Sequence, residues 1–195
     1  MAATSGLRFE PIGPEIRDAL EEYLNEFRAV DTHGPFDLAE ENGFAGVAGY
    51  IEFCRLAAGE TPPVPGLVRT DALALLRDGR VLGEIRIRHR LTPDLEIDGG
   101  HLGYRVRPSE RNRGYATAML REGLARLRAL GLERALLTVD GSNAPSLRVV
   151  EKCGGVGRDE VPEGSGPLNR RFWIATAPLE GKRGEQGPPG SFQEP

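Results

Sequence analysis

Cysteine is nearly absent from this chain. Cys54 and Cys153 stand far apart, with no Cys-x-x-Cys pair. A disulfide scaffold and a thiolate metal centre are both excluded on that spacing, so no metal site is expected. Two such thiols are expected to be reduced, as in a cytoplasmic protein. No apolar run approaches the ~18 residues that a membrane-spanning helix needs. The first residues place no apolar core behind a charged region, so no signal peptide is expected. Lysine is almost missing too: it occurs only at Lys152 and Lys182, so nearly all of the 25 basic side chains are arginines. Two common phosphate loops are absent, Gly-x-x-x-x-Gly-Lys-Ser/Thr and a Gly-x-Gly-x-x-Gly following a strand. The net charge of −4 carries no nucleic-acid footprint.

What is present is unevenly distributed. Residues 1–66 hold 12 acidic and 4 basic side chains, while the remainder holds 17 and 21. A mildly basic second part suits a polyanionic ligand, and an acidic first part could draw in a cationic one. Plain solvated helix faces would give the same acidic count.

At 195 residues the chain is long enough for one domain with a full core. Leu7 to Ile12 reads as a first strand, stopped by Gly13-Pro14. Glu15 to Val30 reads as an amphipathic helix with Ile16, Leu20, Tyr23, Leu24 and Phe27 on one face. Phe36 to Ala58 is a second helical stretch, interrupted by Gly43, Gly46 and Gly49. Arg69 to Arg77 and Val81 to Leu91 form a hairpin about Asp78-Gly79, a strong two-residue turn signal. Period two puts Val81, Gly83, Ile85, Ile87 and His89 on one face, and Leu82, Glu84, Arg86, Arg88 and Arg90 on the other. Thr92 to Gly100 is expected to be a loop. Further on come strands at His101–Arg107 and Arg134–Val139, a helix from Ala144 to Cys153, and a final pair at Val156–Glu160 and Arg170–Thr176. The predicted fold class is α/β (α+β): a mixed, mostly antiparallel sheet with helices on both faces. One domain is expected over residues 1–179, with an N-terminal helical part at 14–60. Residues 180–195 are rich in Gly, Pro and charge and are expected to be a disordered tail.

The chain is organised around Tyr104 to Ala116. Leu102, Tyr104 and Val106 alternate as in a strand, and Pro108 closes it. Arg111-Asn-Arg-Gly-Tyr-Ala116 then turns into a helix whose apolar positions Ala116, Met119, Leu120, Leu124, Leu127 and Leu130 repeat near 3.6. Strand, basic turn, helix start: such a terminus offers convergent N–H groups at the positive end of the macrodipole, an anion site.

These residues resemble motif A of the GCN5-related N-acetyltransferases (GNAT), in the form Val106-x-Pro-x-x-Arg111-x-x-Gly114-x-Ala116. A second segment, Asn143-Ala-Pro-Ser146 leading to Glu151-Lys152-Cys-Gly154, is similar to another motif of that superfamily. The resemblance implies a GNAT-like fold and acetyl-coenzyme A as co-substrate. The loop Arg111, Asn112, Arg113, Gly114, Tyr115, Ala116 and Thr117 would hold the pyrophosphate. The backbone of Tyr104 and Val106 would pair with the pantetheine arm, which requires the central strand to splay from its neighbour. Asn143 would bond that arm or orient its own helix, and Ser146 would sit beside it. The N-terminal helices would cover the acceptor side. The implied activity is N-acetylation of a small-molecule or peptide amine by direct attack, with no nucleic-acid or membrane partner and a homodimer left open. The alternative is a binding module that senses acyl-CoA without turnover.

The chemistry needs a neutral amine, and a lysine-like amine is mostly protonated at pH 7. Two bases are candidates. His101 begins the central strand, close to where relatives often place a base. Glu84 sits mid-strand, where a carboxylate is out of place unless it faces a wet cleft or pairs with Arg86 or Arg88. Many relatives carry a general-acid tyrosine directly before Glu-Lys; that position is Val150 here, leaving Ser146, a water or unassisted departure of the thiolate.

Overall fold

A computed structural model describes residues 6–30, 36–162 and 168–177. The expected tail at 180–195 lies outside the described residues. The first strand, β1 (Arg8–Pro11), is followed by a 3-10 turn and helix α1 (Arg17–Val30). All five predicted face residues, Ile16, Leu20, Tyr23, Leu24 and Phe27, are buried. The second helical stretch divides at Gly43, whose φ of +86° no helix accommodates, into α2 (Asp37–Glu41) and α3 (Gly46–Ala57). Gly49 stays inside α3 because a Cβ there would lie 2.4 Å from the Phe44 carbonyl carbon.

The hairpin β2 (Thr70–Arg77) and β3 (Arg80–Arg88) turns at Asp78 and Gly79, both at positive φ as a primed turn requires. Its register shifts next to the turn: Leu76 pairs with Val81 but Leu75 with Gly83, so Leu82 is an extra residue. This corrects strict alternation. Val81 lies with the α1 and α3 core, while Leu82 joins Ile85 and Ile87 in the core on the other face. The expected loop after β3 contains helix α4 (Pro93–Ile97), because Thr92 caps it by accepting from Leu95 N–H and Pro93 suits its first position.

The central strand β4 (Leu102–Val106) leads through a 3-10 turn to α5 (Tyr115–Ala129), which ends before Gly131 at φ +88°. Then follow β5 (Arg134–Asp140), α6 (Ala144–Lys152), β6 (Val156–Val161) and β7 (Asn169–Ala175). Two antiparallel sheets result, in the orders β1-β2-β3-β4 and β5-β7-β6. Helices cover both faces of the first. Ala72, Ala74 and Leu76 pack with α1 and α3; Leu73, Leu75, Ile85 and Leu102 pack with α5. α5 approaches closely because Gly83 and Gly123 leave room for it: a Cβ at Gly83 would meet Met119, and one at Gly123 would meet Ile85 and Leu102.

The feature that matters most lies between the sheets. β4 and β5 share no ladder among the described residues. They touch at one end, where His101 N–H donates to Leu136 O (2.8 Å) and Leu136 N–H donates to His101 Nδ1 (2.9 Å). Beyond this pin the sheets diverge, so β4 splays as the pairing of a ligand along it requires.

Candidate active site

A cleft of about 970 Å³ opens along the splayed β4. Its first half is built by the β4–α5 connection. Asn112 (φ 64°) and Gly114 (φ 85°) turn the chain in the left-handed region, and Gly114 caps α5 without a side chain. Among the described residues, the first-turn N–H groups of α5 therefore have neither a carbonyl behind them nor a capping oxygen. A Cβ at Gly114 would meet nothing within 4 Å. Arg111, Asn112, Gly114, Tyr115, Ala116 and Thr117 all line this half, with Tyr104 and Val106 beside them. Opposite lie Asn143, Ser146 and Val149 from α6. Asn143 Oδ1 accepts from Ser146 N–H (3.1 Å), a helix cap that also fixes the amide at the cleft wall. The Tyr104 hydroxyl bonds Ser146 Oγ at 2.8 Å, and burial pushes that phenol up, so it stays protonated near neutral pH.

Two expected residues fall elsewhere. Arg113 does not line the cleft; its Nη1 lies 3.1 Å from Glu110 Oε2, an ion pair without hydrogen-bond alignment, and Arg80 lies 3.4 Å from the same carboxylate's other oxygen. His101 is the pin between the sheets and does not line the cleft either. Its Nδ1 accepts an amide proton, so the ring is neutral with its own proton on Nε2. Burial, and then the charge of Arg88, hold its pKa below the usual value. Val150 is wholly buried in the core, and Val149 is the neighbour that faces the cleft.

The second half of the cleft lies on the β3–β4 face beneath α1 and α3. Glu84, Arg86 and Arg88 occupy alternate positions of β3, with Arg105 and Gly103 opposite Glu84 and Arg86 on β4. Glu84 is only 2 % exposed, yet it lines the cleft. Tyr50 of α3 donates its hydroxyl to Glu84 Oε2 (2.5 Å), and Arg86 donates to that same hydroxyl (3.2 Å) while lying 3.7 Å from Glu84 Oε1. Burial, and then the Glu84 charge, push the Tyr50 phenol well up, so it remains a donor. The sequence alone does not single out Tyr50, because no local pattern links it to a partner 34 positions away.

α1 is fastened across the loop. Glu26 accepts from Arg107 Nε (2.6 Å) and from Ser109 N–H (2.7 Å), and Arg111 lies over the Phe27 ring at 6.0 Å. Burial alone would raise the Glu26 carboxyl, but these bonds outweigh it and hold it below its ordinary value. Most acidic side chains described in the first part are exposed on helix surfaces, and none of them lines the cleft. Glu84 is the one carboxylate among the described residues that does. Cys54 is buried, and burial pushes its thiol up to about 12, so it is an inert core residue. No group of three or more His, Cys, Asp or Glu among the described residues could hold a metal ion. No described helix is long and apolar enough to cross a membrane.

Sheets that diverge around a cleft ending on an uncapped helix start define an acetyltransferase-type α/β fold. Comparison with known proteins agrees. A family model described as an acetyltransferase (GNAT) domain matches residues 7–156, and the chain belongs to the GNAT acetyltransferase family. Among solved structures it is similar to yncA from Salmonella typhimurium with its cofactor acetyl-CoA: TM-score 0.60, 13% identity, covering 89% of this chain and 95% of that one. A GNAT-family protein from Bordetella pertussis gives 0.62 and 22%, covering 89% and 98%. Mycobacterium smegmatis RimJ in complex with CoA-disulfide gives 0.62 and 20%, covering 87% and 81%. No curated protein matches the chain.

Proposed function

We propose that this chain is an acetyl-CoA-dependent N-acetyltransferase that acts on a primary amine by direct attack in a ternary complex. The observation that carries this reading is the joining, in one cleft, of a free helix N-terminus to the buried Glu84 carboxylate. The residues fit coenzyme A. The backbone of Gly114, Tyr115, Ala116 and Thr117 would receive its pyrophosphate, with Arg111 and Asn112 beside it. The unladdered edge of β4 at Tyr104 and Val106 would take its pantetheine amides, and Asn143 and Ser146 would face them across the cleft. The bound co-substrate would supply an activated acetyl group as a thioester.

Glu84 accepts the proton that the amine must lose, directly or through a water, while Tyr50 and Arg86 hold the carboxylate in place. Ser146 Oγ, bonded to the Tyr104 hydroxyl, is a proton-bearing pair on the opposite wall. It supplies the phenol that Val150 does not. His101 keeps the cleft's closed end pinned and holds no proton to give or take at Nδ1.

The test is thiol release from acetyl-CoA in a panel of amines. Turnover is expected, and Glu84→Gln should lower kcat by roughly 10²-fold or more with CoA affinity nearly unchanged. The variant should also lose the acid limb of the pH–rate profile. Tight CoA binding with no thiol release above background for any amine would establish the sensing module instead.

A further inference from the structure

We propose that the acceptor is a small amine carrying its own anionic group, a carboxylate or a phosphate, held by Arg88 with Arg105 beside it. This rests on the acetyltransferase reading above and names its substrate class. Among the described residues, the acceptor half of the cleft is lined by three guanidinium groups, Arg86, Arg88 and Arg105, and one carboxylate, Glu84. Arg86 is engaged with Tyr50 and Glu84. Arg88 is half-buried, and the described residues place no carboxylate within ion-pair distance of it. Two carbonyls aim it instead: Nη1 donates to Gly99 O (2.7 Å) and Gly100 O (3.1 Å). Its guanidinium lies over Gly103, where a Cβ would come within 3.8 Å of Nη1 and 4.0 Å of Nη2.

That position sets a distance. Gly103 is two residues from Arg105 on β4, and Arg105 pairs with Glu84. The guanidinium of Arg88 thus lies roughly one strand repeat, about 7 Å, from the carboxylate that takes the amine proton. An acceptor spanning that gap has its nitrogen and its anion a few bonds apart. Asp98 attracts this guanidinium only from beyond ion-pair distance. A half-buried cation with no close carboxylate is costly, and an anion from the ligand reduces that cost. Burial, and then the neighbouring Arg86 charge, already hold the Arg88 pKa down at about 10. A polyamine or a basic peptide would add positive charge to the same wall and be repelled.

The experiment compares matched acceptors: amino carboxylates against their amides, aminoalkyl phosphates against the parent amino alcohols, and polyamines. Thiol release gives kcat/KM, and calorimetry with CoA present gives binding of carboxylates and phosphates that lack the amine. Anionic members should be favoured at least about tenfold, the size of one charge-assisted bond. Whichever pair shows the preference tells carboxylate from phosphate. Arg88→Met should raise KM for the anionic acceptor by a similar factor with kcat little changed, and Arg88→Lys should restore part of it. Arg105→Gln is a second probe at an exposed position, where folding is not at stake. Preference for neutral or cationic amines, unaltered in Arg88→Met, overturns the proposal. If no amine is turned over, the activity reading fails by itself. Anion binding that Arg88→Met abolishes would then still support the site, and no anion binding would sink it.

Discussion

His101 shows how one residue type can be read two ways. A histidine at the head of the central strand of a GNAT-like fold is a reasonable base from sequence. In the folded chain its Nδ1 is occupied by the Leu136 amide, and protonating it would set two donors face to face. Its folded pKa is depressed below the unfolded value near ~6.5. Its contribution is therefore complete above about pH 6.5 and is lost as pH falls below that value toward the folded pKa. Urea midpoints of the natural protein should drop between pH 7.5 and pH 5, and those of His101→Gln should drop less. Parallel losses in both proteins would remove the pin from the explanation. The carboxylates held low, Glu26 among them, act only further into acid.

At the scale of elements, the start of α5 can be tested without touching the core. Gly114→Asp places a carboxylate where an anion should bind, in open space beside the uncapped N–H groups. CoA affinity should fall at least ~10-fold, or about 1.4 kcal/mol. Asp tolerates the left-handed region better than most residues, so Tm should fall only slightly; Gly114→Ala supplies the strain without the charge. Equal CoA affinity in all three proteins would show that the anion site lies elsewhere. This loop was legible because its signals are local: a proline, a glycine and a small residue at fixed offsets. Helix α1, the β2–β3 turn and the Asn143 cap were legible for the same reason. What escaped depends on contacts distant in the chain. The extra residue Leu82 is set by pairing with β2, and Tyr50 meets Glu84 only once α3 lies on the sheet. Arg113 is a local case: it turns back to Glu110, three residues earlier, and no sequence pattern says which arginine of the loop does so. Helix α4 is different: Thr92 and Pro93 did signal its start, but five residues carry too little periodicity to outweigh the flanking glycines.

At the scale of the whole molecule, the two sheets stay apart from each other over most of β4 yet belong to one packed body, with α5 and α6 bridging their common core. Among the described residues, the divergence leaves main-chain donors and acceptors along Tyr104 to Val106 without a ladder on that side. A strand edge of this kind is a template that another chain can copy. The co-substrate that pairs there would act as an edge guard as well as a reagent, so colloidal behaviour and occupancy should be coupled. Ligand at 100 times its Kd stabilises the folded state by about 2.7 kcal/mol. Added CoA should therefore raise Tm in a concentration-dependent way and suppress light scattering on warming. Dephospho-CoA should do the same at higher concentration, because it keeps the pantetheine arm that covers the edge. Pyrophosphate alone should raise Tm without protecting against aggregation, since it fills the helix start and leaves β4 open to a neighbour.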